Sequence, residues 1–206
     1  MAQAEEREIA FAEVLGSSQC QAFPDDAGAM PRIEVRRYTT KVVSTGPECD
    51  VWVTSGMSDA LMLDAVGSPL RRELIFYAPM GGDYVAGMRA LGRFPHDERT
   101  FLDHGHSVQI FGSFFVPGGA QSLATRGPEA ITLPHVFLTI TPILRHRRLP
   151  NALVIDGVAT EFAWVVPISA RELELKKSRG SDALLELFEM HQHPWLFDPL
   201  RASYLP

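Results

Sequence analysis

The stretch Leu153-Val154-Ile155-Asp156-Gly157-Val158-Ala159 decides the fold class. Asp-Gly between two apolar runs suits a two-residue type I′ turn, because both central positions of that turn need positive φ. It predicts an antiparallel hairpin whose return strand runs through Phe162, Trp164 and Val166 to Pro167. A regular parallel α/β repeat has no place for such a pair, so the sheet that contains it is mixed.

Working outward toward the C-terminus, a helix is expected from Ala170, pausing at Ser178-Arg179-Gly180 and resuming from Ser181 with Leu184, Leu187 and Phe188 on one face. Upstream, Val136 to Leu144 and Val108 to Val116 read as strands separated by the turn Pro117-Gly118-Gly119. Ile33-Glu34-Val35, Val51-Trp52-Val53-Thr54 and Glu73 to Ala78 complete the set, the last as a central strand. Asp83 can cap a helix carrying Val85, Met88 and Leu91, with Gly92 and Pro95 as its stop. Glu5 to Leu15 predicts a helix with Phe11, Val14 and Leu15 on one side; Gly16 to Pro31 reads as a connector and Ser55 to Arg72 as a long loop. The expectation is an α+β chain with a mixed, largely antiparallel sheet flanked by helices, an α/β/α-type sandwich. Residues 1–30 would form an N-terminal helix and linker ahead of one domain over 31–206.

Composition narrows the functional classes. The 206 residues are 46% hydrophobic and 21% charged, the balance of a globular protein with a sizeable core. Acids outnumber lysine plus arginine by 25 to 19, a poor basis for neutralising phosphates, so no nucleic acid partner is expected. Most of this charge is local: Glu5, Glu6, Glu8, Glu13, Asp25 and Asp26 face Arg7 alone in residues 1–30, which leaves 18 basic and 19 acidic residues in the remainder. Cys20 and Cys49 form no metal or disulfide framework, no run of 18 apolar residues could cross a membrane, and the acidic N-terminus lacks the order of a secretory signal. A cytoplasmic address follows as the expectation.

Two polar segments attract chemistry. Asp103-His104-Gly105-His106 would, if extended, place both imidazoles on one face, where they could share a metal; the third ligand would have to come from His96, Asp97, His191 or His193. A metal-dependent hydrolase using His104 and His106 is therefore the alternative reading, against a plain polar turn. Thr54-Ser55-Gly56-Met57-Ser58-Asp59 offers hydroxyls and a carboxylate just after a strand, but it is not GxSxG, and hydroxyls serving backbone groups explain it more simply. Met80-Gly81-Gly82-Asp83 reads as a turn and cap, Arg145-His146-Arg147-Arg148 as a solvated basic loop, and His191-Gln192-His193-Pro194 as a helix end. Neither a P-loop nor a dinucleotide fingerprint is present, and no cofactor is implied.

Taken in order, several stretches resemble the suppressor of fused domain family. They are Val51-Trp52-Val53-Thr54-Ser55-Gly56-Met57-Ser58, Arg72-Glu73-Leu74-Ile75-Phe76, Phe94-Pro95-His96-Asp97 through Phe101-Leu102-Asp103-His104-Gly105-His106, Phe162 to Ile168 with Glu172-Leu173, Gly180 with Leu184 to Phe188, and Asp198 with Arg201 and Ser203. The resemblance implies a mixed sheet with flanking helices and a non-catalytic protein-interaction module. The animal member restrains transcription factors by holding a peptide between two halves, and this chain is long enough for the first half. Single-module bacterial relatives are often proposed as immunity proteins that neutralise toxins. The expected partner is thus a toxin domain or an extended peptide along a sheet edge. Ser55, Met57, Ser58, Asp59, Asp103, His104 and His106 are its candidate contacts, while Asp198 and Arg201 are a candidate structural ion pair.

Overall fold

The computed structural model describes residues 2–16, 20–42, 46–110, 135–141, 152–155, 157–198 and 201–205. The expected turn at Pro117-Gly118-Gly119, the strand reading beyond Ile110 and beyond Thr141, the cluster Arg145 to Arg148, and Asp156 lie outside these residues.

The predicted hairpin is β9 (Ala152–Ile155) with β10 (Val158–Ile168), Ile155 pairing with Val158 and Gly157 taking φ 72° as the turn requires. At eleven residues, β10 is long enough to serve three neighbours. Its first half pairs with β9 and, in parallel, with β6 (Arg72–Ala78); its second half pairs antiparallel with β8 (His135–Ile140). Beyond β6 come β3 (Cys49–Ser55), β2 (Glu34–Thr40) and β1 (Cys20–Phe23), and beyond β8 comes β7 (His106–Ile110). The eight described strands of this sheet run β1-β2-β3-β6-β10-β8-β7, with β9 beside β10, and only the β6 and β10 pair is parallel. The sheet is mixed and mostly antiparallel.

Period-two alternation divides the core into two layers. Val51, Val53, Ile75, Tyr77, Trp164 and Val166 face α1 (Ala2–Leu15) and α3 (Ala170–Met190). Trp52, Leu74, Phe76, Ala163 and Val165 face α2 (Val85–Asp97) on the other side. Phe11, Val14 and Leu15 of α1 are buried as predicted, Phe11 beside Phe162 with ring centroids 5.6 Å apart. Among the described residues no helix is long and apolar enough to cross a membrane.

The structure corrects several local expectations. The connector contains β1: Cys-Gln-Ala-Phe has little strand character alone, but pairing with β2 and stacking of Phe23 on Trp52 define it. The long loop contains a single 3-10 turn (Met57–Asp59) and a small hairpin of β4 (Met62–Leu63) with β5 (Pro69–Leu70). The second helix does not stop at Gly92 but runs through Pro95 to Asp97. Gly92 serves close packing, since a Cβ there would lie 3.1 Å from Ile33 and 3.3 Å from Thr54. Asp83 does not cap the helix as expected: the N-cap position is Tyr84, with no side-chain cap, and Asp83 accepts the N–H of Val85 from one residue further out.

Candidate functional site

The segment Ser55 to Asp59 is organised by Glu73, a fully buried carboxylate at the start of β6. Its oxygens accept hydrogen bonds from the hydroxyls of Thr54 (2.7 Å) and Ser58 (2.6 Å) and from the backbone N–H groups of Gly56 (3.0 Å), Met57 (3.3 Å) and Ser58 (3.1 Å). Gly56 holds φ 114° with its Cα facing the carbonyl of Arg32, so the loop closes over the carboxylate at a position open only to glycine. Arg7 of α1 completes the cluster: Nε lies 3.9 Å from Glu73, Nη1 donates to Ser55 at 3.3 Å, and Nη2 pairs with Asp59. Burial pushes the Glu73 carboxyl up, opposed by Arg7, the two hydroxyls and the Gly56 N–H. Ser55, Met57 and Ser58 are buried and only Asp59 is exposed, so this segment presents one carboxylate to solvent. The two serines are spent on Arg7 and Glu73, not on a histidine base.

Asp103 is tied to the neighbouring residue of β6. Arg72 reaches Asp103 at 2.7 Å and Glu161 of β10 at 2.9 Å. Burial alone would raise the Asp103 carboxyl, but the His104 N–H and Arg72 hold it below the ordinary range. Arg72 and Glu73 thus hold the two candidate segments from adjacent positions on one strand, whose side chains point to opposite faces of the sheet. The two imidazoles do not converge on a metal. Nδ1 of His104 accepts the backbone N–H of Thr141 at 3.1 Å, and Nδ1 of His106 lies 3.2 Å from the carbonyl of Phe101. Among the described residues no group of three His, Cys, Asp or Glu side chains could hold a metal ion. His191 and His193, two of the expected third ligands, pack on Tyr204 and Phe188 instead.

The C-terminal tail folds over α3. Ser169 and Glu172 form a reciprocal capping box at its start. The same Glu172 carboxylate, fully buried, receives both prongs of Arg201 at 2.6 and 2.9 Å and the N–H of Tyr204 at 3.2 Å. Arg201 also donates its backbone N–H to the carbonyl of Asp198. The sequence reading paired Arg201 with Asp198 and missed Glu172 as its partner, although Glu172-Leu173 stands among the stretches that carry the family resemblance. The expected pause in α3 is real, with Gly180 leaving helical geometry at φ 89°.

Beside the second half of α3 lies a cleft of about 650 Å³. Ile140, Trp164, Leu185 and Phe188 form an apolar floor, and His104 stands in its wall. Of the candidate partner contacts named from sequence, His104 is the one that lines this cleft, and His193, one of the expected third metal ligands, lines it too. Its size is that of an ordinary ligand or side-chain pocket, and its elements are the rigid ones, a sheet end and a helix.

Comparison with known proteins places this geometry. The sequence model of the suppressor of fused protein (SUFU) matches residues 32–202. The chain belongs to the suppressor of fused family. Solved structures similar to it include a protein described as a SUFU homologue from Neisseria gonorrhoeae FA 1090, with 17% identity, a TM-score of 0.65, and coverage of 99% of this chain and 97% of that one. A Sufu–Fu complex matches with 13% identity and a TM-score of 0.65, covering 98% of this chain and 92% of that one. Drosophila Suppressor of Fused matches with 13% identity and a TM-score of 0.63, covering 98% of this chain and 50% of that one. At these identities the likeness is one of fold. No curated protein matches.

The suppressor of fused match contains Glu73, the Glu172–Arg201 pair and the whole cleft, but it begins after α1. Arg7 therefore reaches into the family domain from outside the matched region.

Proposed function

We propose that this suppressor of fused family member is a non-catalytic protein-interaction module, and that the cleft beside α3 receives part of its partner. The observation that carries this reading is the cleft itself, an apolar concavity between rigid elements in which His104 stands. The family supports it too, since one of the similar structures is that of a Sufu–Fu complex. The buried polar clusters around Glu73 and Glu172 are spent on holding the fold.

An immunity role, in which the partner is a toxin neutralised by binding, is the finer form of this proposal. Its test begins with the genes beside this one. A toxic neighbour product should be relieved by the intact chain, should form a complex with it when both are purified, and should escape a Leu185→Ser variant whose melting temperature is otherwise retained. A chain that purifies alone from its host, and relieves no co-encoded toxin, sinks the interaction reading.

A further inference from the structure

Among the described residues, the charged side chains that border the cleft are all acidic. Asp182, Glu186 and Glu189 stand on its rim with exposed side chains. Spaced i, i+4, i+7 on α3, they form a single stripe about 10 Å long at 1.5 Å per residue. No lysine or arginine is among the described residues that line the cleft. Of its two histidines, His193 is held down at about 4 by burial and by Arg201, so it brings no positive charge at neutral pH. His104 turns Nδ1 to the N–H of Thr141. The nearest cation in the tail, Arg201, is committed to Glu172.

We propose that the cleft takes a basic segment of the protein partner, one apolar side chain seated on Trp164 and Phe188 and lysine or arginine residues on either side of it facing Asp182, Glu186 and Glu189. This rests on the interaction reading and adds the partner's chemistry. The division of labour is physical: the apolar floor supplies affinity, while the rim sets orientation and association rate and rejects acidic segments. Individually such exposed carboxylates contribute little, but three along one wall of a low-dielectric cleft act on the same approaching charge.

The probes are two synthetic peptides of equal length, one built from lysine and leucine and one from glutamate and leucine, titrated against the full chain by fluorescence anisotropy. The lysine peptide should bind and the glutamate peptide should not, and binding should weaken between about 0.05 and 0.5 M salt as the Debye length shrinks. The combined Asp182→Asn, Glu186→Gln, Glu189→Gln variant should lose about tenfold in affinity. An equal change of charge elsewhere, Glu5→Gln with Glu13→Gln and Glu48→Gln, should leave binding as it was; all six positions are exposed, so folding is spared. Equal binding of both peptides, or equal loss in the two triple variants, overturns the proposal. A native partner that binds the rim variant as tightly as the parent also overturns it while leaving the interaction reading in place; the absence of any partner removes that reading itself.

Discussion

Glu73 shows what one buried charge does in this fold. Its carboxylate sits where β3 ends and β6 begins, and it fixes a loop that hydroxyl spacing alone made look reactive. Replacing one oxygen by an amide keeps the shape but aims an N–H₂ group at donors, and it leaves Arg7 without its buried counter-charge. Glu73→Gln should therefore cost about 3 kcal/mol, read as a lowered denaturation midpoint, and should expose the Ser55 to Asp59 segment to faster hydrogen exchange. An unchanged midpoint would show that the carboxylate is not the anchor. The sequence did carry a trace of it, a lone acid opening the apolar run Glu73-Leu74-Ile75-Phe76, but nothing in that run named its partners.

At the scale of elements, the ends of α2 and α3 share a device. Each closes with a Schellman pattern whose left-handed residue is not glycine: Arg99 at φ 51° and Gln192 at φ 49°. At the end of α3 the N–H of His193 reaches the carbonyl of Phe188 at 2.8 Å and that of Gln192 reaches Glu189 at 3.0 Å. A side chain in this conformation costs roughly 1 kcal/mol, so Gln192→Gly should stabilise the chain by about 0.5–1 kcal/mol, measured as an upward shift in melting temperature. A downward shift would mean that the Gln192 side chain, which lines the cleft, contributes more than its backbone costs.

Elements were also where sequence patterns spoke most clearly. The hairpin with Gly157 in its turn, the continuous apolar run Glu73 to Ala78 and the pause before Ser181 depend on local sequence, and each appears in the structure near its expected place. What stayed hidden depends on partners far along the chain: β1 exists through β2, Gly92 is a packing position because Ile33 and Thr54 press on it, and Arg201 finds Glu172 across 29 residues. The cleft was hidden for the same reason, since Ile140, Trp164 and α3 meet only in three dimensions.

For the whole molecule, charge and pH acquire a definite meaning. The acidic N-terminal segment is partly engaged with the body: Glu8 lies 3.3 Å from Arg36, and buried Asp25 faces Arg89 and Arg93 at 3.2 and 2.6 Å. Burial would raise Asp25, but the Ile33 N–H and Arg93 hold it below the ordinary range. His193 moves the other way from most stabilised histidines, down to about 4 through burial and then Arg201. An unfolded histidine titrates near 6.5, so between about pH 6.5 and 4 the unfolded chain binds the extra proton and stability falls as pH falls. The loss should approach about 3 kcal/mol, and His193→Gln should flatten the stability curve over that window. His96, also lowered by burial, leaves a smaller residual slope. Below that window the carboxylates held low by arginine, Glu172 among them, are protonated in turn and stability drops further. A curve that keeps its full slope in the variant would remove His193 from this role.

The parallel pairing of β6 with β10 sets the timetable of synthesis. Arg72 and Glu161, which meet across it, are 89 residues apart. At about 5–20 residues per second, the strand Arg72 to Ala78 leaves the ribosome several seconds before its central neighbour exists. During that interval β1, β2, β3 and β6 can form only a partial sheet whose open side is the unpaired edge of β6. The nascent chain thus passes through a stage in which a strand buried along its whole length in the finished fold has an open edge, and that is where a chaperone would find it.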